Sequence, residues 1–143
     1  MLSTLQKLGQ LKHQTRTVYR LKNKIDSIKT DIETQRRLMV QVNTVLTIQR
    51  EMAETFERSV EPPSHLVQLY AEIHRREEEW KDGETALIAF DKDIAYHLYR
   101  LQQIQNGMVR LLQEVKPEAM RHEISFDFES VYQAIQDTGR ETV

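Results

Sequence analysis

Apolar residues recur at alternating spacings of three and four, stop at a pair of prolines, and then recur in the same way again. The first series is Leu11, Gln14, Val18, Leu21, Ile25, Ile28, Ile32, Gln35, Met39, Val42, Leu46, Gln49, Ala53, Phe56 and Val60. Every departure from apolar character in it is a glutamine. A sustained period of 3.5 keeps one seam of a helix facing a partner as the two supercoil. The second series runs Leu66, Leu69, Ile73, Arg76, Trp80, Gly83, Leu87, Phe90, Ile94, His97, Leu101, Ile104, Met108, Leu111 and Val115. Each series makes a helix of roughly 75 Å at the α-helical rise.

Between them lies Glu61-Pro62-Pro63-Ser64. Pro63 lacks an amide donor and pushes Pro62 out of the helical region, so the first helix must end there. The expected fold is all-α: a long antiparallel two-helix coiled-coil hairpin, about residues 5–60 and 64–115, turning at Pro62-Pro63. Folding at the prolines sets Ala53 against Ile73, Leu46 against Trp80, Met39 against Leu87 and Leu11 against Val115, with Val60 against Leu66 at the turn. Gly83 then faces Val42, Gln49 faces Arg76, and Arg36–Asp91 and Arg50–Glu77 flank the seam.

Lys116-Pro117 reads as a second stop. The chain divides into a hairpin over 1–116 and a tail over 117–143. In the tail, Phe128, Val131, Tyr132 and Ile135 are spaced for an amphipathic helix over about 127–137, with Asp127 as N-cap and Gly139 as terminator. A helix this short does not hold itself in water and must dock.

Composition agrees with long helices. Gly and Pro number only 4 and 3, and charged residues make up 29%. With no Cys, disulfides, thiolate metal sites and thiol catalysis are excluded. The five histidines form no His-x-x-x-His pair. Asp93/His97 and Glu118/His122 share a helix face, but one carboxylate and one imidazole make a weak metal signal. His97 falls on the seam, where it makes either a pH-sensitive layer or a side chain that reaches out to solvent. There is no glycine-rich phosphate loop and no nucleophile motif, and a two-helix seam filled by its own side chains leaves no pocket. No enzyme activity, cofactor or metal is expected.

Residues 1–25 carry Lys7, Lys12, Arg16, Arg20, Lys22 and Lys24 and no acid, with Leu2, Leu5, Leu8 and Leu11 along one side. Such a segment fits a basic start to the hairpin, a mitochondrial transit segment, or a nucleic-acid or anionic-membrane contact. Residues 117–143 are acidic and stand ready to neutralise it. No run reaches the ~18 apolar residues of a membrane span, and a continuous secretory h-region is lacking. A cytoplasmic location is expected, with a mitochondrial one as the alternative.

Function is sought in apolar residues off the seam. Leu38, Val45 and Met52 repeat at seven, with Ile48 beside them. Leu98 and Leu112 form a second stripe near the open end, which Phe126, Phe128 and Tyr132 of the tail could cover, with Val131 and Ile135 on the same tail helix. These are the candidate partner-binding residues. The expected role is a non-enzymatic coiled-coil subunit, a spacer or docking element for other helical proteins or for a second copy in a four-helix bundle. The alternatives are a stalk or coupling component of a secretion ATPase, by shape alone, and a nucleic-acid or membrane binder acting through its basic end.

Overall fold

The computed structural model describes residues 3–61 and 63–141. The described chain is helical: α1 (Thr4–Glu57), α2 (Leu66–Arg121) and α3 (Phe128–Glu141). The two long helices pack against each other as a helical hairpin, and α3 is the short third helix. Two compact units form, one from residues 1–28 and 93–143, the other from 29–92. The tail belongs to the same unit as the first turns of α1.

The first unit holds the larger core. Leu8, Leu11, Val18, Leu21 and Ile25 of α1 are buried with Leu101, Met108, Leu112, Val115 and Ala119 of α2 and with Val131 and Ala134 of α3. The α1 N-terminus is capped by reciprocal bonds: the Gln6 amide donates to Ser3 Oγ at 3.2 Å and the Ser3 amide to Gln6 Oε1 at 2.9 Å. Leu8 is buried, whereas Leu5 is 68% exposed and leaves the expected leucine row; Leu2 lies outside the described residues.

The expected stop at Pro117 does not occur, and α2 continues through it to Arg121. A proline inside a helix forfeits one backbone bond and crowds the preceding turn. Here the turn beyond it is held by packing, since Ala119 is fully buried and Glu118 bonds to α1. The chain then reverses through Glu123, the one described non-glycine residue at positive φ (54°). Asp127 caps α3 as expected, accepting from the Ser130 amide and hydroxyl. Gly139 does not end α3, which runs to Glu141, and among the described residues no glycine takes the left-handed conformation that a helix stop uses.

In the second unit, Leu46 and Ala53 of α1 are buried with Leu69 and Ile73 of α2, and Val42, Phe56 and Leu66 pack on them. α1 ends at Glu57, where the Ser59 amide closes back on the Phe56 carbonyl at 3.2 Å. Val60 is therefore outside the helix and wholly exposed, so the expected Val60–Leu66 layer does not form. Phe56 closes the turn instead, edge-on to His65 at 5.5 Å. Of the expected proline pair, Pro62 lies outside the described residues.

The register also differs from the expected one, by one helical turn. A Cβ on Gly83 would lie 2.9 Å from Met39 Cγ and 2.9 Å from Gln35 Nε2, so Gly83 faces Met39, not Val42. Gln49 donates to Glu72 at 3.1 Å, and its Oε1 accepts nothing from Arg76. The first unit shows the same offset independently: Thr4 bonds Glu118, Lys7 pairs with Glu114, and Gln14 Nε2 lies 3.5 Å from a Cβ on Gly107. The cause is that side chains lean toward the N-terminus of their own helix. In antiparallel helices they lean opposite ways, so an a position of one meets a d position of the other. The expected pairing had set a against a. Of the two expected flanking pairs, Arg50–Glu77 forms at 3.8 Å. Leu46 and Trp80 still line one groove with them.

Candidate interaction surfaces

In the first unit, the tail's apolar residues spend most of their area on the chain itself. Val131 is 1% exposed and Leu112 7%. Leu98, Phe126, Phe128 and Ile135 are half-buried against the same cluster. Phe126 and Phe128 meet edge-on at 5.0 Å. Lys116 reaches over the Tyr132 ring at 4.9 Å and donates to its hydroxyl at 2.6 Å. Thus the basal stripe and the tail helix are brought together, and what remains open between them is an apolar groove. It has a volume of about 560 Å³ and is lined by Leu112, Pro117, Met120, Tyr132 and Ile135 among others.

Charge in this unit is arranged around Lys7. Its side chain is 7% exposed, with Nζ 2.7 Å from Glu114 and 3.3 Å from Glu118. Glu118 also accepts from the Thr4 hydroxyl at 2.9 Å. Thr4 and Lys7 extend the α1 seam periodicity below Leu11, so these are polar layers of the same coil. The bond to Glu114 raises the Lys7 pKa against the opposing effect of burial, and Glu118 adds to it. The Thr4 hydroxyl, followed by Lys7, holds the Glu118 carboxyl below its ordinary value. The Ser130 hydroxyl and amide do the same for Asp127. Lys22 meets Asp137 of α3 at 3.6 Å. Part of the basic start is therefore neutralised by α2 and by the acidic tail.

His97 is 3% exposed in the seam. Asp93 Oδ1 lies 3.3 Å from its Nε2, yet neither ring nitrogen makes a hydrogen bond. The expected exit of this side chain to solvent is not taken.

The middle stripe lies wholly in the second unit. Leu38 is 49% exposed, Ile48 52% and Met52 42%, with Val45 half-buried between them. On α2 of this unit, the exposed apolar residues Val67, Tyr70 and Ile88 make no continuous row, since His74 and Lys81 stand between Val67 and Ile88 at the seven-residue positions. Among the described residues no cluster of three metal-ligating side chains occurs, and no helix is long and apolar enough to cross a membrane.

What the sequence reading missed is the polar layers at the base. Thr4 and Lys7 continue the seven-residue repeat from Leu11 and Gln14, which was the available signal. Comparison with protein-family models, with curated proteins and with solved structures gave no match.

Proposed function

We propose that this chain is a non-enzymatic coiled-coil subunit whose docking face is the Leu38/Val45/Ile48/Met52 stripe of α1. One observation carries the reading: these four side chains form a second apolar row beside an already filled seam. A two-helix coil needs one seam, and a second row at the same period is what a helix shows when another helix lies along it. The groove beside Met120 and Tyr132 offers a second, smaller apolar surface. The long helical arms suit a spacer role.

The test is recovery of the native complex by affinity purification, comparing the wild-type chain with Leu38→Glu/Ile48→Glu. Both residues are exposed, so helicity is retained. The expected result is loss of the co-purifying protein. Unchanged recovery with the double variant contradicts the reading.

A further inference from the structure

We infer that the stripe pairs with the same stripe of a second copy of this chain, antiparallel, about a twofold axis close to Asn43 and Thr44. This rests on the docking reading above and names its partner. The stripe extends to Thr34, Leu38, Gln41, Val45, Ile48, Met52 and Thr55 at alternating spacings of four and three. Antiparallel self-pairing with a-to-d-like layers then sets Leu38 against Ile48, Gln41 against Val45 and Thr34 against Met52 of the second copy.

Charge decides for this arrangement. The row flanking the stripe, on the side away from the seam, reads Arg37, Thr44, Glu51. In an antiparallel pair, like flanks face each other, so Arg37 meets Glu51 of the second copy, and Glu51 meets its Arg37. Both are exposed, and the present partner of Arg37 is the equally exposed Glu33 at 2.9 Å.

The second helix obeys the same axis. The observed register, with Met39 on Gly83, places residues 43 and 44 of α1 level with 78 and 79 of α2. On the stripe side of α2, exposed Arg75 and Asp82 lie almost equidistant from that level. The axis set by the α1 row therefore brings Arg75 of one copy to Asp82 of the other. Two charge rows on two helices agree on one axis within a residue. Glu79 lies on the axis, and Arg76 at 3.9 Å offsets its self-repulsion. Complementary flanks of this kind set orientation and partner in helical bundles.

The test is sedimentation equilibrium of the full chain with charge reversals. The wild type is expected to dimerise. Arg37→Glu is expected to weaken the dimer about tenfold, since two symmetric pairs are reversed. Arg37→Glu/Glu51→Arg is expected to restore it. Because the chain has no Cys, Thr44→Cys is expected to give a disulfide-linked dimer on mild oxidation, and Thr30→Cys is not. A monomer at the highest attainable concentration overturns the inference, as does a dimer indifferent to the charge swap and not cross-linked through Thr44→Cys. If the chain is monomeric while Leu38→Glu/Ile48→Glu still abolishes complex recovery, self-pairing falls and the docking reading stands. If both effects are absent, both fall.

Discussion

Met39 covers Gly83: a Cβ at residue 83 would fall 2.9 Å from Met39 Cγ and 3.0 Å from Met39 Sδ. The glycine is buried because a larger residue across the seam needs its space. Alanine normally improves a helix interior over glycine by about 1 kcal/mol. At Gly83 the added methyl must displace Met39, and overpacking of a seam costs about 1–3 kcal/mol. Gly83→Ala is expected to lower stability by about 1 kcal/mol. Gly9→Ala, with nothing within 4 Å of its Cβ, is expected to raise it by up to about 1 kcal/mol. Thermal and urea unfolding of the two variants reads the difference, and equal stabilisation by both would contradict the observed register.

This relationship also shows how far the sequence reaches. The arms, the turn and the tail helix were legible because each rests on a repeat or a cap that local chemistry enforces. The register was not, because a one-turn slide still sets apolar against apolar: Leu11 finds Leu111 as readily as Val115. Only the irregular positions distinguish the two alignments, and Gly83 tolerates several neighbours. Lys7 does not resolve it either, since Glu118 lies opposite it in the expected alignment and Glu114 one turn away, and Lys7 reaches both. The end of α2 was misread because Pro117 is a local signal, overridden by the burial of Ala119. The exposed stripe was legible from its seven-residue repeat. What would cover it was not, because apolar area alone carries no identity; the flanking charges can be matched in the proposed self-pairing only once the register is known.

Pro117 itself is exposed and interior to α2. Replacement by alanine restores an amide donor and removes a ring clash, at no loss of buried area. Pro117→Ala is expected to stabilise the chain by about 1–3 kcal/mol. Destabilisation in urea unfolding would show that the proline serves the reversal into α3.

His97 leaves two ring nitrogens without hydrogen bonds inside an apolar seam. An unpaired buried polar group costs about 1–3 kcal/mol. His97→Leu is expected to stabilise the first unit by about that amount at neutral pH. Loss of stability in the same measurement would mean that the Asp93 contact at 3.3 Å holds the ring in place.

The charge layer around Lys7 makes stability depend on pH at both ends. The Glu118 and Asp127 carboxyls lie below their ordinary values when folded. Their contribution is present above the unfolded carboxylate range and is lost as pH falls through the lowered folded values. Lys7 is raised when folded. Its contribution is present below the ordinary lysine value and is lost as pH climbs through the raised one. Glu118→Gln is expected to flatten the acid limb of a stability–pH profile and shrink the alkaline limb. An unaltered profile would remove this layer from the account.

The central claim is that α1 carries the interaction face on its Leu38–Met52 stripe. The most direct measurement is site-specific photocross-linking of the native chain, with the reactive residue at Ile48 and, separately, at Lys81 on the exposed face of α2. Protein adducts from Ile48 and none from Lys81 are predicted. No adduct from Ile48, or equal capture from both positions, would contradict it.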